Sequence, residues 1–149
     1  MKTISLRFSE NFSPEVGTIA AHQQLIDSLG YVWYGKLGKP ISANVVKEIM
    51  QNEDPKILLI NSGKQDRYWA HITEVSRLLP PLNEIPEYYR NIGNKFACWF
   101  KVISFDKAKH DIMSQCFVAS SGNTLSVASR HSMSPYFIIL FMEVPNDAV

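Results

Sequence analysis

"KILLINSGKQDRYWAHITEV", residues 56–75, holds two strand-like runs with turn chemistry between them. "KILLINS" is strongly apolar, "GKQD" supplies glycine and polar residues, and "RYWAHITEV" is rich in β-branched and aromatic side chains. That order predicts a β-hairpin over residues 56–77. On simple alternation Arg67, Trp69, His71 and Thr73 share one face, opposite Tyr68, Ala70 and Ile72.

Upstream, Ile4, Leu6 and Phe8 alternate with polar residues, the pattern of a half-buried strand. Ile19, Leu25, Ile26 and Leu29 fit one face of a helix from Thr18 to Leu29, and Gly30 is a suitable stop. "YVWYGKL" then reads as a strand, with Tyr31, Trp33 and Gly35 on one face and Val32, Tyr34 and Lys36 on the other. Ser42 is the expected N-cap of a second helix carrying Val45, Val46, Ile49 and Met50, which Asp54-Pro55 ends. Downstream, "LPPLNEIPEYYR" is expected to be loop with a helical turn at 87–90. "FACWFKVISF" is a strand with Ala97, Trp99 and Lys101 opposing Phe96, Cys98, Phe100 and Val102. "CFVAS", "SSGN" and "TLSVAS" suggest a second hairpin, "SRHSMS" a loop, and "YFIILFMEV" a buried last strand.

About seven strands at short spacing with two clear helices, and no βαβ rhythm, predict an α+β fold: a curved mixed or antiparallel β-barrel with two or more flanking helices. The expectation is one domain over residues 1–149, with residues 1–30 as an N-terminal strand and helix.

Hydrophobic content of 46% against 19% charged residues argues for a globular chain rather than a disordered one. A net charge of +1 rules out a global basic field for coating nucleic acid, leaving only local patches such as Lys36, Lys39 and Lys47. Cys98 and Cys116 have no metal or secretory spacing, so buried thiols in a cytoplasmic protein are expected, with no metal and no cofactor. The start "MKTISLRFSE" does not read as a signal peptide, and the longest apolar run is too short to span a bilayer.

The sequence contains no P-loop, GxGxxG, GxSxG or HExxH. Its four histidines are scattered, so no catalytic residue is assigned. The aromatic residues remain. On alternation each tryptophan has a basic or polar neighbour on its own face, as a base-binding pocket needs: rings hold the flat face and polar groups read the edge.

The order of elements resembles the PUA-like superfamily, especially its EVE, YTH and ASCH branches. The likeness runs over residues 31–141. It rests on an aromatic strand, "VWYGKLG", followed by a helix, then "KILLINSG" leading to "RYWAHITEV", then the tryptophan strand "ACWFKVISF". The resemblance implies a curved barrel with helices outside and a non-enzymatic module that recognises nucleic acid or a nucleotide. It also implies an aromatic pocket for a modified base, and a fused effector module in some members. On that reading Trp33, Tyr34, Trp69 and Trp99 are candidate walls, Asn61, Ser62 and Ser132 candidate edge readers, and Lys36, Lys39 and Arg130 candidate phosphate contacts. Two alternatives stand beside it. One is a small accessory subunit that docks a protein partner through "LLPPLNEIPEYY". The other is a small nucleoside-processing hydrolase using Lys36, His71, Glu74 and Arg130, although a regular strand would put Glu74 opposite His71.

Overall fold

The first helix ends at a glycine, as its sequence suggests. In the computed structural model, which describes residues 1–8, 15–61 and 66–142, strand β1 (Lys2–Phe8) precedes helix α1 (Thr18–Leu29). Gly30 ends α1 at φ 88°, a left-handed conformation that glycine adopts without penalty, and its N–H donates to the Ile26 carbonyl at 2.7 Å. Strand β2 (Val32–Leu37) leads to helix α2 (Ala43–Met50), where the Ser42 hydroxyl accepts the Val45 N–H at 3.3 Å as the expected N-cap.

The expected hairpin is present as β3 (Lys56–Asn61) and β4 (Arg67–Ser76). The proline-rich stretch after it forms 3-10 turns at Leu82–Glu84, Glu87–Tyr89 and Gly93–Lys95. Then come β5 (Phe96–Lys107), the short helix α3 (Ile112–Gln115), β6 (Cys116–Val118), helix α4 (Leu125–His131) and β7 (Tyr136–Phe141).

The second expected hairpin is corrected here. "TLSVAS" is helical, because Thr124 takes an N-cap geometry and its hydroxyl accepts the Val127 N–H at 3.3 Å. A buried Leu125 then gives the helix its packing face. Local capping outweighs the weak strand alternation. The same helix absorbs Ser129, Arg130 and His131 from the expected "SRHSMS" loop.

The seven described strands form one mixed sheet in the order β2-β5-β4-β3-β1-β7-β6. All neighbours run antiparallel except β1 and β3. The ladder does not close: β2 and β6 are its two ends. The sheet curls strongly nonetheless, since Lys36 of β2 places its amine 5.0 Å from the Tyr136 ring centre in β7. Register shifts at Lys36/Leu37 in β2–β5 and at two points in β4–β5 bend the strands.

The main core lies on the face carrying Ile4, Leu6, Val32, Tyr34, Ile57, Leu59, Ile72 and Phe100, with apolar positions of α1 and α2 against it. The opposite face is covered in two places. Leu58, Trp69, Ile139 and Phe141 pack with Ile112, Met113 and Leu125 under α3 and α4. Trp33, Phe96 and Trp99 pack with Ile85 and Tyr89 under the 3-10 segment. No helix among the described residues is long and apolar enough to cross a membrane.

Candidate functional site

Curling leaves a gap between the free edge of β2 and the C-terminal end of β1. A cavity of about 240 Å³ fills it, walled by Leu6, Arg7 and Phe8 of β1 and Tyr34, Gly35, Lys36 and Leu37 of β2. Tyr88, Tyr89, Ile92 and Phe96 close it from the 3-10 segment and the start of β5, with Thr18 and Pro135 at its margins.

Two features of the chain shape the aromatic wall. At the β2–β5 shift Lys36 pairs with Cys98 and Leu37 with Phe96, so Ala97 is the extra residue. Phe96 is thereby turned from the side of Cys98 to that of Trp99, and their ring centres stand 4.9 Å apart. Gly35 makes room for it: a Cβ there would lie 2.7 Å from the Phe96 ring. Tyr89, whose ring centre is 4.6 Å from that of Phe96, takes a hydrogen bond from the Gly35 backbone on its hydroxyl, and burial pushes its phenol well above the ordinary range.

Behind the wall lies His22 of α1, fully buried, with its ring centre 5.1 Å from those of Tyr34 and Tyr89. Its Nδ1–H donates to the Thr18 carbonyl at 2.8 Å, while Nε2 has no hydrogen-bond partner. Burial lowers its pKa to about 4, against a smaller opposing effect of the Thr18 bond, so the ring is neutral.

Two cations border the cavity. Lys36 is buried, and its amine donates to the carbonyls of Leu37 at 3.0 Å and Lys39 at 2.7 Å. Burial lowers its pKa. Arg7 donates to the carbonyls of Ser129, Ser132 and Ser134 at 2.7, 2.8 and 3.0 Å, tying β1 to the end of α4 and the turn beyond it.

The residues singled out in the sequence are divided among several places. Tyr34 and Lys36 line the cavity. Lys39 is exposed just beyond β2, held there by Lys36, and Arg130 is exposed beside Ser129 with its Nε donating to Ser126. Ser132 borders a separate open groove with His131 and Ser134, and Asn61 a third beside α1. Ser62 lies outside the described residues.

The three tryptophans do not converge. Trp33 and Trp99 are buried together behind Phe96 and Tyr89, and Trp69 is buried in a separate cluster against Phe141 under α3 and α4. Their basic neighbours serve the protein itself. Lys101 caps Tyr31 at 4.3 Å and Trp33 at 6.0 Å, and Lys56 caps Trp69 at 4.8 Å.

Nor are the candidate hydrolase groups assembled. His71 sits between Asp54 and Asp106, its ring nitrogens 3.0 and 2.5 Å from their carboxylates, while Lys36 faces the cavity. Both thiols are buried, and burial pushes Cys116 up to about 12. Tyr88, Tyr89, Phe96, Arg7 and Phe8 are the cavity residues that alternation did not reveal. The signals within reach were the Tyr-Tyr pair in the 3-10 segment and the glycine opposite a tryptophan strand.

The fold is thus a curled mixed sheet with two helices on its main core and an aromatic-lined gap at its free edge. The chain matches the Pua-like family model over residues 4–135 and belongs to that family, whose members generally bind RNA or other nucleic acid. The match begins in β1, so the N-terminal strand and α1 are part of the family's span. Comparison with curated proteins and with solved structures found no match.

Proposed function

We propose that this protein is a nucleic-acid recognition module that takes one unstacked base, modified or not, into the cavity between β1 and β2. The observation that carries the reading is the cavity's make-up: a space for a single ring system walled by Tyr34, Tyr88, Tyr89, Phe96 and Phe8. Stacking on such rings contributes roughly 1–3 kcal/mol per base. Lys39 and Arg130, both exposed, are the proposed phosphate contacts. Trp33 and Trp99 support the wall from behind in this account, and Trp69, Asn61 and Ser132 stand apart from it.

The test is binding of single-stranded RNA and DNA octanucleotides by Tyr88→Ala. Tyr88 is only half-buried at the cavity wall, where it packs edge-on against Tyr89 and His22, so its removal disturbs the core less than emptying a fully buried site. Trp99→Ala is a poorer probe, since emptying a site only 1% exposed costs about 3–5 kcal/mol and confuses folding with binding. A folded Tyr88→Ala protein should bind at least about tenfold more weakly. Wild-type affinity in that variant would move the site away from this cavity.

A second reading has its own observation. Leu78, Leu79 and Leu82 are 78%, 52% and 52% exposed on the proline-rich segment, as a protein-docking surface would have them. Pull-down with and without nuclease separates the two: a partner retained after nuclease treatment and lost in Leu78→Ser/Leu82→Ser supports docking.

A further inference from the structure

We infer that the cavity selects by charge, admitting a neutral flat heterocycle and rejecting a cationic one of the same composition. The inference rests on the base-binding reading and adds to it the chemical class of base.

An aromatic-walled pocket would ordinarily attract cations, because ring faces carry negative potential. Here two fixed positive charges in the wall oppose that attraction. Lys36 and Arg7 both line the cavity, and each is held over a ring just outside the lining, Lys36 5.0 Å from the Tyr136 ring centre and Arg7 5.7 Å from that of Phe137. Among the described lining residues these two are the only ionic side chains, and both are positive. Neither is free to swing away. The Lys36 amine is anchored to two backbone carbonyls, and the Arg7 guanidinium to three. Lys36 is 5% exposed, so water and salt screen its charge weakly. Like charges about 6 Å apart at an effective dielectric of about 20 repel enough to change affinity on the order of 100-fold. The rest of the polar lining is uncharged and includes the Thr18 and tyrosine hydroxyls.

Isomeric methylated bases test this directly. Single-stranded octanucleotides carrying one 5-methylcytosine or one 3-methylcytosine form one pair. N6-methyladenine and 1-methyladenine form the other. Within each pair the atoms are the same, and only the second member is cationic at neutral pH. Binding is read by fluorescence anisotropy at fixed salt.

The expected result is that the cationic member of a pair binds at least about tenfold more weakly than its neutral isomer. In Lys36→Met the gap should narrow, because both isomers meet the same altered wall and only the cationic one is relieved of a repulsion. Where Lys36→Met does not fold, Lys36→Gln replaces it. Equal or tighter binding of the cationic isomer by the wild type overturns the inference and leaves the base-binding reading standing. So does a gap that stays the same in a folded Lys36 variant, since shape would then be the cause. Failure of every oligonucleotide, modified or parent, to bind overturns the base-binding reading, and this inference with it.

Discussion

His22 should make the protein acid-labile in a defined pH window. Its imidazole is fully buried among Tyr34, Tyr88, Tyr89 and Phe105, and its pKa falls from 6.5 to about 4 because burial penalises the charged ring. The folded value lies below the unfolded one, so between pH 6.5 and 4 the unfolded chain binds a proton that the folded chain does not. Stability is therefore complete above about pH 6.5 and is lost as the pH falls toward 4. That fall corresponds to about 3 kcal/mol at the acid end, of which about 1 kcal/mol is already lost by pH 5.5. The assay is urea unfolding followed by tryptophan fluorescence from pH 7.5 to 4.5, on wild type and His22→Leu. Every other ionisable group is common to both proteins, so the difference between the two pH curves isolates His22. By pH 5.5 the wild type should have lost about 1 kcal/mol more than the variant. Parallel curves would refute the reasoning, because a ring held neutral by burial cannot unfold without this proton uptake.

Three further outcomes follow from particular contacts. Gly35→Ala sets a Cβ 2.7 Å from the Phe96 ring and should destabilise the fold by about 1–3 kcal/mol, with oligonucleotide affinity falling as Phe96 moves; unchanged melting and binding would contradict the close approach. Thr124→Ala removes the side-chain acceptor for the Val127 N–H and should cost about 1 kcal/mol in urea unfolding, whereas a β-hairpin at this position would gain nothing from the cap. Trp69→Phe lies in the separate cluster under α3 and α4 and should leave oligonucleotide affinity within about twofold while lowering stability; a specific loss of binding would restore Trp69 to the site.

Elements with strong local signals were legible in the sequence. Gly30 and Ser42 marked a helix end and a helix start, the 56–75 hairpin and the last strand were apparent from composition, and the three prolines after Leu79 announced irregular backbone. Alternation also separated Trp33 from Tyr34 correctly: Tyr34 reaches the main core and the cavity, while Trp33 packs on the other face. It failed at the bulges. In β4 Ile72 and Val75, three residues apart, both reach the main core because the register slips between Ile72 and Glu74. In β5 the extra Ala97 carries Phe96 onto the face of Trp99. A bulge depends on which strand lies opposite, and no local pattern records that.

The pairing of aromatic and basic residues was a true signal with two meanings. A lysine on the same face as a tryptophan suits a base-binding pocket, and it equally suits a protein that covers its own rings. Lys101 over Tyr31 and Trp33, and Lys56 over Trp69 and Phe141, show the second meaning at the tryptophans. What distinguishes the cavity is the unpaired edge of β2. A free strand edge exposes backbone donors and acceptors that other strands can seize. Here Tyr89 engages the Gly35 backbone and Lys36 engages two carbonyls at the strand's exit, so side chains do part of the work of a neighbouring strand. The residues that quiet that edge are therefore also those that wall the cavity. A substitution at Tyr89 or Lys36 should alter edge pairing and ligand affinity together, whereas Tyr88→Ala should weaken affinity and loosen the packing on Tyr89 and His22 without removing a bond to the strand edge.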